Sequence, residues 1–179
     1  MKAFDEQMTA LFEKSLESSF KSLFKKNEKF YYFSFLIDEG IRPYISAWSY
    51  EALERVTSEL GLSSNLKLEY KYSPCDSPYC AYEHDSHFSE SDEMLESNDI
   101  FSLSDEEFDK EFDLRLNSME EAMKRLDCKG FFGFGDDRKK IIITVEVVTP
   151  DWTNTTRIKR LNPESNIEEW LELCSESEE

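Results

Sequence analysis

The chain has 179 residues, a net charge of -18 and 25 aromatic residues, of which 14 are Phe. This length fits one domain, and the aromatic content supplies a core, since a domain of this size buries about 70% of its unfolded surface. The charge excludes nucleic acid and anionic membrane surfaces as partners, because both are recognised by basic faces.

The first elements are read from hydrophobic periodicity. Apolar residues at helical spacing predict an amphipathic helix over residues 2–26. Aromatic and β-branched residues then predict a strand at 30–37 and a returning strand at 41–48, so that residues 29–48 form an opening hairpin. The first of these strands is apolar on both faces, which predicts that both faces are covered.

The middle of the chain is predicted to form a helix, then a strand and then a long loop. Ser49 is placed to cap a second helix, and Gly61 is placed to end it. Alternating apolar and charged residues at 66–72 predict a half-buried third strand. From 73 to 100 the periodicity fails, and Pro, Ser and acidic residues predict a long acidic loop.

Regular structure resumes after this loop. A helix is predicted over 101–126, with Ser104 and Glu107 as a capping box, and a β-branched run at 141–148 predicts a fourth strand. A short last helix starts at Asn162 or Ser165. The element order favours an α+β fold: a single domain over residues 1–174, with a mostly antiparallel sheet of about four strands covered by helices. Residues 175–179 form an acidic tail.

The acidity is concentrated in two segments. Residues 83–113 carry thirteen acids against one lysine, and residues 164–179 carry seven acids and no basic residue. One interpretation is a solvated surface that serves solubility; the other is an electrostatic recognition surface for a basic protein. The partner-binding hypothesis rests on the acids nearest the start of the first segment: Glu83, Asp85, Glu90, Asp92, Glu93, Glu96 and Asp99.

Two cysteines and both histidines of the chain fall within thirteen residues: Cys75, Cys80, His84 and His87. Thiolate and imidazole are zinc ligands, so this loop supports the hypothesis of a small metal-binding regulator or enzyme. Against it, the spacing matches no common zinc motif, and a Cys–His pair for nucleophilic catalysis lacks an identifiable third group. We therefore predict no catalytic residue, no metal and no cofactor.

Several short segments taken in order give the chain a resemblance to a bacterial family, the domain of unknown function 4303. The segments are Tyr31-Tyr32-Phe33-Ser34-Phe35, Ala47 to Leu53, Tyr70-Lys71-Tyr72-Ser73-Pro74, Ala122 to Asp127, Gly130, Phe132-Gly133, Asp151, Arg157 and Leu161-Asn162-Pro163.

The resemblance implies a compact α+β domain without an established activity. Members look like immunity proteins found beside secreted bacterial toxins. We expect Asp151, Arg157 and Asn162 to be structural, with Arg157 paired to Asp151 and Asn162 capping a helix.

The favoured hypothesis is a non-enzymatic binding protein, an immunity protein whose acidic surface neutralises a basic partner such as a toxin domain. The metal-binding regulator or enzyme remains an alternative, and so does a structural or adaptor domain whose acids serve solubility. The early acids and the missing signal sequence at the N-terminus predict a cytoplasmic location. The oligomeric state is left open.

Overall fold

The computed structural model describes residues 2–38, 42–97 and 100–177. The fold is α+β, about 60% helical, around a three-stranded sheet. The strands are β1 (Phe30–Ile37), β2 (Tyr44–Ser49) and β3 (Ile142–Val147). The α-helices are α1 (Lys2–Phe24), α2 (Tyr50–Glu59), α3 (Ser64–Tyr70), α4 (His84–His87), α5 (Ser89–Glu96), α6 (Asp105–Cys128), α7 (Gly135–Arg138), α8 (Trp152–Leu161) and α9 (Glu168–Cys174). Short 3-10 turns lie at Ile100–Ser102 and Glu164–Asn166.

Strand β1 is the centre of the sheet, in the order β2-β1-β3. It pairs antiparallel with β2, where Phe33 lies opposite Ala47, and parallel with β3, where Phe33 lies opposite Ile143. All eight residues of β1 are buried, as the prediction of cover on both faces requires.

One face of the sheet is apolar and packs on α1. Phe12 and Phe20 of this helix meet Phe35 and Phe33 of β1, with ring centroids 5.3 Å and 4.9 Å apart. Helix α6 packs on both α1 and β3. The stripe on α1 therefore does what its helical spacing predicts, since it buries one helix face against the sheet. No helix in the described ranges has the length and apolarity to cross a membrane.

Three local signals in the sequence are confirmed by the backbone. The Ser49 hydroxyl accepts the Ala52 amide at 2.9 Å and caps α2, and Gly61 follows that helix with φ +65°. The carboxylate of Glu107 accepts the amide of Ser104 at 3.1 Å, as a capping box requires. Such signals are local, so the sequence alone reveals them.

The predicted strand at 66–72 is wrong, because residues 64–70 form helix α3. The segment contains no β-branched residue, while its Leu, Lys and Glu are good helix formers. No residue of α3 is buried, and Leu66 and Leu68 are both more than 40% exposed; Tyr72, just beyond the helix, is the buried residue of the predicted strand.

The prediction of about four mostly antiparallel strands is therefore corrected to three strands in a mixed sheet. The opening hairpin predicted over 29–48 is present as the β1–β2 pair, and residues 39 and 40 of its predicted turn at 38–40 lie outside the described residues. Between β2 and β3 the long helix α6 carries the chain back across the sheet, so β3 enters beside β1 in the same direction.

The segment 73–100, predicted as a loop, contains the short helices α4 and α5. Neither has a side-chain cap, and helices of this length are not stable by themselves. They depend on contacts with α1, which local sequence patterns do not encode. At the other end of the chain, the first part of the predicted tail is attached, because the Glu176 amide donates to Thr155 Oγ1 at 3.0 Å.

Candidate functional site

Six of the seven acids predicted to bind a partner lie on or beside α4 and α5, within residues 83–97, which we call the docked segment. Two of them contact α1 directly. Glu90 forms an ion pair with Lys14 at 2.6 Å, and Glu83 accepts the Ser22 hydroxyl at 2.7 Å. The bond from Ser22 lowers the pKa of Glu83, and His87 lies 3.3 Å from the same carboxylate.

Two further acids of the docked segment are also engaged inside the chain. Asp92 lies 2.9 Å from Nε2 of His84, and both side chains are mostly buried. Glu96 forms an ion pair with Arg42. Asp99 lies outside the described residues. Three of the six described acids therefore attach the segment to the rest of the domain, and Asp92 joins α5 to α4 within it, roles that the sequence did not reveal.

The remaining two predicted acids, Asp85 and Glu93, are exposed. Phe88 anchors the docked segment to the domain core and is fully buried. Its ring stacks on His84 at 4.9 Å and approaches Phe35 of β1 at 5.8 Å. An aromatic anchor of this kind explains why a highly charged segment folds onto the domain.

The Cys/His loop is not gathered into one centre. His84 and His87 bind the carboxylates of Asp92 and Glu83, and His87 Nδ1 also lies 2.8 Å from the Ser18 hydroxyl. Burial raises the pKa of the Cys80 thiol, whereas zinc binds thiolate. Within the described ranges, no three His, Cys, Asp or Glu side chains are grouped to hold a metal ion.

The first half of α6 presents its acids differently. Asp105, Asp109 and Asp113 are exposed and lie four residues apart, which places them along one helix face, and we call them the exposed acidic row. No ion pair to any of the three is present in the described part of the chain. Neighbouring Glu106, in contrast, binds Lys110 at 2.5 Å.

A cleft lies beside this row, between α6 and the C-terminal end of β3. Its volume is about 350 Å³. Phe108 and Phe112 are stacked along one side with centroids 6.0 Å apart, and Phe101 is 69% exposed at the mouth. We call it the aromatic cleft, and it is lined by Asp38, Phe101, Phe108, Phe112, Val147, Val148 and Thr149.

The floor of the aromatic cleft has an unusual backbone. Thr149 has φ +109°, a conformation that a β-branched residue rarely adopts. The preceding residue, Val148, donates its amide to the Ile37 carbonyl at 2.9 Å and so continues the pairing with β1. Strain of this kind persists only where the surrounding structure holds it, and it is common at binding sites.

The second face of the sheet mixes buried apolar side chains such as Leu36 and Trp48 with polar ones, and the sequence did not reveal the role of one of them, Glu146. This β3 carboxylate is 7% exposed and accepts the hydroxyls of Tyr32 and Ser34, the latter at 2.8 Å. Burial raises the pKa of Glu146. Helix α9 is tied over this face by Glu169, which binds Lys71 at 2.5 Å. An acid inside a β-branched run is the one sequence signal that marked the position.

Comparison with known proteins agrees with the resemblance found in the sequence. The model of one family, described as a domain of unknown function (DUF4303), matches residues 12–163. The chain belongs to this family. The matched region contains the whole sheet, the docked segment and the aromatic cleft, and it ends before α9. No curated protein sequence and no solved structure matches the chain.

Asn162, one of the residues that carry the DUF4303 resemblance, is structural, as expected. It does not cap the following helical turn but is the C-cap of α8, where its side-chain amide donates to the Ile158 carbonyl at 2.9 Å. The same amide group accepts the Ile143 backbone N–H at 3.0 Å and donates to the Ile143 carbonyl at 2.6 Å. The side chain thereby satisfies the outer edge of β3 as a neighbouring strand does.

Arg157 and Asn154 continue this edge protection along β3. Asn154 exchanges two hydrogen bonds with the backbone of Val147, at 2.8 Å and 3.1 Å, and Arg157 donates to the Val145 carbonyl at 3.0 Å. Arg157 does not form the predicted ion pair with Asp151, which caps α8 by accepting the Thr153 amide. These side chains therefore hold α8 against the sheet edge.

Proposed function

We propose that this DUF4303 domain is a non-enzymatic cytoplasmic binding protein, an immunity protein that neutralises a bacterial toxin by covering a basic face of it. The observation that carries the proposal is the exposed acidic row on α6. Its three carboxylates point outward without an ion-pair partner in the described residues, next to an apolar cleft. An exposed aromatic patch surrounded by a polar rim is typical of protein interfaces.

The row replaces most of the residues that the sequence favoured for this role. Glu83, Glu90, Asp92 and Glu96 are engaged within the chain, so their charge is partly compensated. In this proposal Asp85 and Glu93 add to the long-range field, and the row makes the closest approach. The field raises the rate of encounter with a basic partner, and the cleft supplies the buried contact.

The test begins with capture of a partner from lysate of the host, at low and at moderate salt, with this protein as bait. The captured polypeptide is then produced alone and together with this chain in a sensitive bacterium. We expect growth arrest by the partner alone and restored growth when the two are produced together. A partner that leaves growth unaffected, or arrest that this chain does not relieve, contradicts the proposal.

A matched pair of variants locates the surface. Replacing Asp105, Asp109 and Asp113 by Asn removes the exposed row, and we expect it to abolish the rescue of growth. The control replaces Glu106, which is paired with Lys110, by Gln and retains the rescue. Equal rescue by both variants contradicts the assignment of the row.

A further inference from the structure

We propose that the aromatic cleft receives one large apolar side chain from a basic segment of the partner, with lysine or arginine on either side of that residue. The inference rests on the proposed function and adds to it the chemistry of the contact. It commits to one occupant, a protein segment in which a single apolar anchor is surrounded by positive charge.

The walls of the aromatic cleft suit an apolar anchor. Phe108 and Phe112 present stacked rings, while Phe101 is 69% exposed, the second most exposed value among the large apolar residues described. Single exposed apolar residues are ordinary, but a cleft lined by three aromatic rings is not. A volume of about 350 Å³ has room for one or two large side chains.

The cleft is also formed before any partner arrives. Val148 is fixed to β1 through the Ile37 carbonyl at 2.9 Å, and the left-handed backbone of Thr149 turns the chain away from the sheet. Asp151 then starts α8 by accepting the Thr153 amide at 2.8 Å. A floor held at both ends loses little conformational freedom on binding, which favours affinity.

Charge decides which apolar segment fits. Residues 100–113, which supply one wall of the cleft, carry six acids and one lysine. Asp109 follows Phe108 directly in the sequence and is exposed, and Asp38 lines the cleft itself, so carboxylates lie beside the aromatic wall. A purely apolar segment leaves these carboxylates without a partner, whereas lysine or arginine beside the anchor complements them.

The test uses two short fluorescent peptides of alternating glycine and lysine, one with a central phenylalanine and one with alanine at that place. Both are titrated into the full chain at low salt and followed by fluorescence anisotropy. We expect the phenylalanine peptide to bind about tenfold more tightly or better, because burial of such a side chain contributes a factor of this size. Amide shifts in NMR spectra are expected at Val148 and Thr149.

Two variants test whether the preference arises in the cleft. Phe101→Ala removes its exposed wall, and Val148→Trp fills it, in both cases without a change of charge. The preference for the phenylalanine peptide is expected to fall below about threefold in each. Phe134→Ala is the matched control, because this ring is 73% exposed and lies outside the cleft.

The outcomes separate this inference from the proposed function. Equal, salt-sensitive binding of both peptides overturns the apolar contact and leaves the acidic surface standing. A preference that survives in both cleft variants places the anchor elsewhere and also overturns the inference. Absence of binding by either peptide at low salt contradicts both proposals.

Discussion

The docked segment and the first half of α6 have similar composition but opposite roles. Both are rich in Asp and Glu and carry few apolar residues. In the docked segment, Lys14, Ser22, His84 and Arg42 bind the acids, and the segment lies on the domain. On α6 the exposed acidic row faces outward. The formal charge of a sequence therefore overstates the charge that is available to a partner.

The difference arises from what each segment packs against. The docked segment crosses α1, whose polar face supplies lysine and serine side chains. In the first turns of α6, Phe108 and Phe112 are half-buried, Glu106 pairs with Lys110, and Glu111 pairs with Arg115. The acids of the exposed row have no ion-pair partner in the described part.

The largest effect is expected from removal of the anchor of the docked segment. Phe88→Ala deletes a fully buried ring and is expected to lower the free energy of unfolding by about 3–5 kcal/mol. Urea denaturation followed by circular dichroism measures this loss. The control Phe101→Ala, at an exposed ring, is expected to cost less than about 1 kcal/mol. Equal losses in the two variants contradict the docked state of the segment.

The second prediction concerns the rate of association with a captured partner. Reversal of Asp105, Asp109 and Asp113 to Lys is expected to lower the association rate about tenfold or more at low ionic strength and to weaken its salt dependence. Stopped-flow mixing or surface plasmon resonance measures this rate.

The matched variant reverses three docked acids, Glu83, Glu90 and Glu96, and so changes the net charge equally. We expect a smaller reduction of the association rate and a larger loss of stability, because these acids have partners inside the chain. Equal association rates in the two variants mean that only net charge matters, and they remove the distinction between the regions.

Glu146 differs from the acids of both regions, because it is neither exposed nor ion-paired in the described part of the chain. Burial raises its folded-state pKa above the ordinary value of 4.5, so the folded protein binds the proton more tightly than the unfolded chain does. Wild-type stability therefore falls as pH rises from about the unfolded value through the folded pKa.

Glu146→Gln removes this titration and keeps an oxygen for the two hydroxyls. Its stability relative to wild type is expected to increase from pH 5 to pH 8. Denaturation curves at the two pH values measure the difference. The exposed-acid variant Glu93→Gln is expected to show no such trend, and a difference independent of pH for Glu146→Gln argues against the burial effect.

The smallest effect is expected for Glu90→Gln. The ion pair with Lys14 has both side chains more than 60% exposed, so its loss is expected to cost less than about 0.5 kcal/mol and to vanish at high salt. A loss above about 1 kcal/mol means that this pair is a main attachment of the docked segment. In that case the ion pair, and not the buried ring of Phe88, is the main attachment of the docked segment to the domain.

The sequence predicts those parts of the fold whose signals are local. Helical periodicity gives α1 and α6, and the caps at Ser49 and Ser104 place helix starts correctly. The alternation at 66–72 misleads, because a strand also needs a free sheet edge. The edge of β2 is occupied, since Ala81 donates its amide to the Ile45 carbonyl at 2.8 Å.

For the candidate site, the sequence predicts the acidic character but not the residues that form the exposed surface. Acidity was visible in the sequence, but which acids face solvent depends on contacts across the chain, such as Glu90 with Lys14, 76 positions apart. The aromatic cleft joins residues from α6 with the end of β3, and no local pattern links the two. Phe108 and Phe112 follow the helical stripe of the core, so their spacing does not distinguish a cleft wall from an interior position.

The edge of β3 has a consequence for how the protein remains a separate molecule. A bare edge strand offers a template on which another chain can add a strand, and this leads to aggregation. Here side chains of α8 and the residue after it occupy the hydrogen-bonding positions. Helix α8 thus occupies the outer edge of β3 and prevents another strand from pairing there. Loosening of α8 alone opens a templating surface while the rest of the core stays intact.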